Sequence, residues 1–131
     1  MLVVDASLVV AALVDDGDAG RWAEDVLVSA PLIAPHLLGV EVASTLRRAQ
    51  LAGSISADVA SLAHADLLDL RVEHLPYELT AARSWELRAT VTSHDAWYVA
   101  VAELLGAPLA TLDVRLAAAP GPTCSFLVPP R

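Results

Sequence analysis

Four carboxylates are the residues of this sequence whose types and positions could do chemistry: Asp5, Glu41, Asp95 and Asp113. Carboxylate oxygens are hard ligands that suit Mg²⁺ and Mn²⁺. The chain has one cysteine and four scattered histidines, so it lacks the paired Cys or His ligands that a zinc site needs. If the four acids meet in the fold, they predict a site for hard divalent cations, which can cleave phosphodiester bonds.

Three of these acids also have an ordinary structural explanation. Asp5 could cap the helix that follows it, as could Ser7, and if Ser7 is the cap then Asp5 is free to act as a ligand. Asp95 lies in the first turn of a predicted helix, where the helix dipole favours a negative charge. Asp113 could be a turn or cap residue, with the hydroxyl of Thr111 fixing the loop.

Glu41 is harder to explain as a surface residue. Its helical neighbours three and four positions away are Leu37, Leu38, Ser44 and Thr45. An ordinary surface glutamate often has Lys or Arg at that spacing, and none is present here. A carboxylate on a partly apolar helix face needs a cation to offset its burial, and a bound metal ion is one way to supply it.

Alternating strand and helix signals must position these residues. Strands are predicted at residues 2–4, 32–34, 71–75, 108–111 and 124–128. Helices are predicted directly after the first strand and at residues 19–29, 36–51, 56–70, 78–88, 94–105 (capped by Ser93) and 114–118. This order predicts an α/β fold with a mostly parallel sheet covered by helices on both faces. Ligands bind outside the carboxyl ends of such strands, and Asp5 and Asp113 follow strands there.

Size and hydropathy indicate one domain that does not cross a membrane. The 131 residues are 56% hydrophobic, and we expect a single domain over residues 1–131. The longest apolar runs, residues 8–14 and 96–102, are far shorter than the about 20 residues of a membrane span. The first twenty residues hold no Lys or Arg, so a signal peptide is not predicted and we expect a cytoplasmic protein.

The net charge of −8 would normally argue against a nucleic-acid partner, because most such proteins attract phosphates with a basic surface. A cluster of acids filled by metal ions is the exception, since the ions reverse the sign of the local field. All eight basic residues are arginines, which suit bidentate phosphate contacts.

Short motifs spread over nearly the whole chain carry a family resemblance. They are Val-Asp-Ala-Ser at residues 4–7, Glu-Val-Ala at 41–43 followed by Leu-Arg-Arg at 46–48, His-Asp-Ala-Trp-Tyr-Val-Ala-Val-Ala-Glu at 94–103, and Ala-Thr-Leu-Asp at 110–113. In these motifs the chain resembles the PIN domain, and more closely the VapC-like toxin nucleases of bacterial toxin-antitoxin pairs. His94 is a small departure, because relatives often carry Tyr or another hydroxyl residue there.

The resemblance implies a three-layer α/β/α fold with a central sheet of about four to five short strands. It also implies an endoribonuclease that depends on Mg²⁺ or Mn²⁺ and leaves a 5′-phosphate on its RNA product. Asp5, Glu41 and Asp95 correspond to the main acidic triad and Asp113 to a fourth, supporting acid. Ser7 and Thr111 match hydroxyl positions that help to orient the ligands.

The same resemblance implies partners. Toxins of this type are held inactive by a small antitoxin whose tail lies over the active groove, and the toxin commonly forms a homodimer. Arg47, Arg48 and Arg115 are predicted phosphate contacts, with a solvated surface charge as the alternative for each.

Two other classes of protein have to be weighed. A phosphoacceptor signalling domain also gathers acids at strand ends, but it normally relies on a lysine, and this chain has none. A PIN-like scaffold that binds RNA or protein without cutting is the more serious alternative. Such modules usually lose one or more acids, and all four are present here, which favours an active enzyme.

Overall fold

The computed structural model describes all 131 residues and consists of five short strands and seven α-helices. The strands are β1 (Leu2–Val4), β2 (Leu32–Pro35), β3 (Val72–Leu75), β4 (Leu109–Ala110) and β5 (Phe126–Leu127). The α-helices are α1 (Ala6–Val14), α2 (Asp18–Leu27), α3 (Leu38–Leu51), α4 (Ala57–Asp69), α5 (Ala81–Glu86), α6 (Ser93–Leu105) and α7 (Val114–Ala118). Two 3₁₀ turns flank α5, at Tyr77–Leu79 and Leu87–Ala89.

The five strands form one sheet in the order β3-β2-β1-β4-β5, and every neighbouring pair is parallel. Parallel crossovers are almost always right-handed, so this order places α1 to α4 on one face of the sheet and α5 to α7 on the other. The contacts agree, because α1 to α4 pack on one another and α5 packs on α6. The predicted three-layer α/β/α fold is confirmed.

The sheet's central strand shows why the apolar pattern gives this fold. Val3 and Val4 of β1 are completely buried, because helices cover both faces of the sheet. They belong to a single cluster of 27 buried hydrophobic residues, which also takes in Leu8 of α1 and Val99 of α6. The cluster fixes the sheet edge from which the functional side chains project. None of the helices combines the length and the apolar character that a bilayer span requires.

The helix expected over residues 78–88 is not continuous. Thr80 has a non-helical backbone (φ −127°, ψ 9°) and separates the 3₁₀ turn Tyr77–Leu79 from α5. The buried hydroxyl of Thr80 lies 3.4 Å from the carbonyl oxygen of Tyr77, so a local side-chain bond competes with helix propagation. The predicted helical character of residues 78–88 is confirmed, except for the break at Thr80.

The structure decides between the two candidate caps of α1 and corrects the predicted cap of α6. The residue that caps α1 is Asp5, whose side chain accepts a hydrogen bond from the Leu8 amide, and Ser7 lies inside the helix. The cap of α6 is Thr92, so Ser93 is the first helical residue. Gly106 ends α6 with a left-handed backbone (φ 60°), a conformation that glycine adopts without steric cost.

Candidate active site

The carboxyl ends of two adjacent central strands bring distant residues together. β1 ends at Val4 and β4 ends at Ala110, and these two residues pair in register. The residues that follow, Asp5 after β1 and Thr111 after β4, therefore lie side by side at one edge of the sheet. Such an edge is where parallel α/β sheets bind ligands, as the sequence predicts.

The carboxylate of Asp5 is held by the hydroxyls of Ser7 and Thr111. Asp5 is only 6% exposed. Its Oδ1 accepts hydrogen bonds from Ser7 Oγ (2.6 Å) and from the Leu8 amide (3.1 Å), and its Oδ2 accepts one from Thr111 Oγ1. Both hydroxyls expected to orient ligands thus contact the first acid directly. Because a carboxylate has about four lone-pair sites, one site on Oδ2 stays available for a cation.

Burial raises the pKa of the Asp5 carboxyl above its ordinary value of 3.8. The hydrogen bonds from Ser7, Thr111 and the Leu8 amide oppose this shift because they favour the charged form, and the negative charge of Asp95 adds to it. The charge on Asp5 is therefore costly in the protein by itself, and a bound cation would relieve that cost.

Glu41 is joined to α6 by Tyr98, a residue that the sequence reasoning did not select. The Tyr98 hydroxyl donates a 2.6 Å hydrogen bond to Glu41 Oε1, and Tyr98 is only 1% exposed. The signal in the sequence was the spacing, since Tyr98 lies three residues after Asp95 and so shares its face of the helix. Burial raises the pKa of Tyr98, and the charges of Glu41, Asp5 and Asp95 raise it further. The phenol therefore stays protonated and donates a hydrogen bond to Glu41.

Asp95 and Asp113 occupy the starts of two helices. The Asp95 amide donates to Thr92 Oγ1 (3.2 Å), which closes the first turn of α6. Asp113 caps α7, because its Oδ1 accepts hydrogen bonds from the amides of Arg115 (3.0 Å) and Leu116 (3.2 Å). The capping explanation of Asp113 is therefore correct, but it uses one oxygen only and leaves Oδ2 for another partner.

The four acids, which we call the acid site, form no ion pair with any side-chain cation of the protein. Burial raises the pKa of Asp95, and the charge of Asp113 adds to the rise. The ion pairs of the protein involve other acids, namely Asp18 with Arg21, and Glu86 and Glu103 with Arg83. The acid site therefore combines unpaired carboxylates that repel one another, an arrangement that favours a cation from outside the chain.

The donor set fits a hard divalent cation in kind, although the side chains are not gathered at ligand distance. No three His, Cys, Asp or Glu side chains stand close enough together to hold a metal ion. Asp5 is turned toward two hydroxyls and Glu41 toward Tyr98. All four donors are carboxylates, and the set includes no sulfur or imidazole group, which is the composition that Mg²⁺ and Mn²⁺ prefer.

The three arginines predicted to contact phosphate lie in three different cavities. Arg48 lines a cavity of about 300 Å³ together with Glu41. Arg115 lines one of about 220 Å³ together with Asp95 and Asp113. Arg47 lines a third cavity that contains none of the four acids. The fold therefore brings Arg48 and Arg115, but not Arg47, to the acid site.

Comparisons with known proteins agree with this fold. A model of the PIN domain family matches residues 2–122. The chain therefore belongs to the PIN-domain family. Within that family it is 44% identical over 127 residues to the ribonuclease VapC1 of Mycobacterium tuberculosis, an alignment that covers 95% of this chain and 94% of that protein.

Solved structures of lower sequence identity share the fold. The crystal structure of VapC20 from Mycobacterium tuberculosis, described as a sarcin-ricin loop cleaving toxin, gives a TM-score of 0.67 at 22% identity and covers 90% of this chain and 94% of its own. The structure of VapBC-5 from the same organism, a member of the VapBC family of toxin-antitoxin systems, gives a TM-score of 0.56 at 24% identity. That match covers 96% of this chain and 94% of the other.

Proposed function

We propose that this protein is a single-domain endoribonuclease that hydrolyses RNA phosphodiester bonds and acts as the toxin of a toxin-antitoxin pair. One observation carries the proposal: four carboxylates without an ion-pair partner stand at the ligand-binding edge of the sheet. They do so in a chain that is 44% identical, over nearly its whole length, to a ribonuclease.

The activity depends on Mg²⁺ or Mn²⁺ in this proposal. The residues that would hold the ions are Asp5, Glu41, Asp95 and Asp113. When bound, such ions orient and activate a water molecule and stabilise charge on the phosphate and on the leaving oxygen.

The chain's own groups position what reacts. Ser7 and Thr111 fix the orientation of Asp5, and Tyr98 fixes that of Glu41. Asp113 is itself fixed because it caps α7. Three of the four acids are thus held by a second contact, which limits the conformations that their carboxylates adopt before a cation binds.

A PIN-like scaffold without activity remains the alternative function. The raised pKa values of Asp5 and Asp95 argue against it, because they show that ionised carboxylates are costly here. A scaffold gains nothing from that cost, whereas a metal-dependent enzyme offsets it with the cation that it binds.

An antitoxin and a second copy of the chain are the proposed protein partners, and the cytoplasm is the proposed compartment. The VapBC-5 structure shares the fold of this chain and is described as a member of a family of toxin-antitoxin systems. This likeness supports a protein partner. Several large apolar side chains are exposed and available for such contacts, among them Val40 (70%), Leu68 (72%) and Trp85 (62%).

Cleavage of total RNA in Mn²⁺ tests the proposal. The wild type should cut RNA endonucleolytically, leave 5′-phosphates and lose activity in EDTA. Glu41→Gln should lose at least about 100-fold, because removing a ligand exceeds the about 10- to 100-fold cost of a supporting contact. Glu103→Gln, assayed well below its melting temperature, serves as the control that keeps activity. Equal RNA binding by wild type and Glu41→Gln with no cleavage by either would support the scaffold instead.

A further inference from the structure

Two cavities flank the acid site, and each contains one arginine. The first, of about 300 Å³, is lined by Glu41, His94 and Arg48 among others. The second, of about 220 Å³, is lined by Asp95, Asp113 and Arg115 among others. His94, which lines the first cavity, and Asp95, which lines the second, are consecutive residues in the first turn of α6, so the two cavities lie on either side of the same helical turn.

Arg48 is held toward the first cavity. Its guanidinium donates to Ser44 Oγ (3.0 Å) and to Thr45 Oγ1 (3.3 Å), which lie about one helical turn before it in the direction of Glu41. These partners are neutral hydroxyls, and no carboxylate pairs with Arg48 or with Arg115. Both positive charges therefore remain available to an anion, and a guanidinium suits the geometry of phosphate.

Arg47 provides an internal comparison. It precedes Arg48 on α3, but successive helical residues point about 100° apart because the helix has 3.6 residues per turn. Its side chain lines a cavity between α3 and α4 with Gln50, Ser61 and His64. Two adjacent arginines of the same helix thus differ in whether they share a cavity with an acid of the site.

On the basis of the proposed ribonuclease activity, we propose that one RNA strand crosses the acid site from the first cavity to the second. Arg48 then contacts a phosphate on one side of the scissile bond, and Arg115 contacts a phosphate on the other side. Each cavity holds one arginine and at least one acid of the site, so a strand that passes through both presents a phosphate to each arginine. Arg47 makes no contact with this strand.

The test uses a short single-stranded RNA that the wild-type protein cuts in Mn²⁺, chosen by mapping the 5′ ends of digested total RNA. Copies of this RNA carry one neutral methylphosphonate at successive positions on either side of the cut. In the wild type, neutralising a contacted phosphate should lower kcat/KM about tenfold, the effect of one charge-assisted hydrogen bond. In Arg48→Ala the penalty on one side should vanish while that on the other side persists, and Arg115→Ala should show the reverse.

Arg47→Ala is the matched control and should change kcat/KM by less than about twofold, with an unaltered salt dependence. The inference is overturned if Arg48→Ala and Arg115→Ala remove penalties on the same side, if neither removes any, or if Arg47→Ala behaves like Arg48→Ala. A wild type that cuts no RNA in Mn²⁺ contradicts the ribonuclease assignment itself. Cleavage without the two-sided pattern contradicts only the path of the strand.

Discussion

Helix α6 carries two acids whose pKa values are shifted in opposite directions. Asp95, in its first turn, belongs to the acid site and has a raised pKa. Glu103, near its end, is bound by Arg83 through Nε to Oε1 (2.7 Å) and Nη2 to Oε2 (3.3 Å). Burial alone would raise the pKa of Glu103, but hydrogen bonds from Arg83 and Thr123 outweigh burial and lower it.

Glu103 is thus an acid that stabilises the fold through an ion pair, whereas Asp95 has no ion-pair partner and can bind a cation. Arg83 also donates to the carbonyl of Gly121 (2.9 Å), and Glu103 accepts from the Thr123 amide (3.3 Å). This Arg83–Glu103 network joins α5, α6 and the segment before β5. At the other end of α6, Asp95 has no ion-pair partner. Substitutions at the two ends should therefore change different properties.

Loss of the Tyr98 hydroxyl should give the largest effect of the three substitutions that test this contrast. Tyr98→Phe leaves Glu41 without its hydrogen-bond donor, so the affinity for Mn²⁺ should fall by about 10- to 100-fold, as for other contacts that orient a metal ligand. Titration of Mn²⁺ followed by electron paramagnetic resonance measures this affinity without reference to activity. Tyr77→Phe, at the only other tyrosine, should leave it unchanged. Equal affinities in both variants would remove Tyr98 from the site.

Glu103→Gln should lower stability rather than metal affinity. The free energy of unfolding at pH 7 should fall by about 1–2 kcal/mol, a value reduced for solvent because the Arg83 side chain is 33% exposed. Since the folded-state pKa of Glu103 is lowered, its contribution is complete above the ordinary value of 4.5 and is lost as the pH falls through the folded-state pKa. Urea unfolding of the wild type and of Glu103→Gln between pH 7 and pH 3 measures the difference in their free energies of unfolding.

Glu86→Gln is the control for that experiment. Glu86 pairs with the same arginine at 3.2 Å, but its side chain is 64% exposed. Its removal should cost less than about 0.5 kcal/mol. If both variants lose the same stability, burial does not distinguish the two pairs and the network has no special role.

Of the three substitutions, Asp95→Asn should give the smallest change when only the stability of the metal-free protein is compared, and the change should be opposite in sign to that of Glu103→Gln. Because the folded-state pKa of Asp95 is raised, the ionised carboxylate costs stability as the pH rises through that pKa, and below 3.8 the cost is absent. In EDTA at pH 7 the variant should therefore gain less than about 1 kcal/mol in the free energy of unfolding. Thermal melts in EDTA and in Mn²⁺ test the sign, which should reverse with metal because the variant lacks a ligand.

Much of the fold was predictable because its signals are local. The apolar run of β1, the glycine that ends α6 and the alternation of strands and helices all act through near neighbours. Local signals did not decide between Asp5 and Ser7 as the cap of α1. Asp5 also accepts a hydrogen bond from Thr111, and the residues near Asp5 in the sequence give no sign of this long-range contact.

The acids themselves were predictable, but their supporting contacts were not. Tyr98 and Glu41 are 57 residues apart and lie on helices from opposite faces of the sheet, so only the tertiary structure reveals their hydrogen bond. Arg47 and Arg48 likewise line different cavities because only one face of α3 meets α4. In both cases the sequence supplies the residue, and the tertiary structure decides what it can contact.

Anomalous diffraction from crystals soaked in Mn²⁺ tests most directly whether the four carboxylates serve one cation site. We predict a manganese peak at the edge of the sheet, coordinated by Asp5 Oδ2 and by at least one oxygen of Glu41 or Asp95. The side chains of Glu41 and Asp95 should be rotated toward the ion. Manganese found only at exposed acids such as Asp15 or Asp16, with the acid site empty at saturating Mn²⁺, would contradict the account.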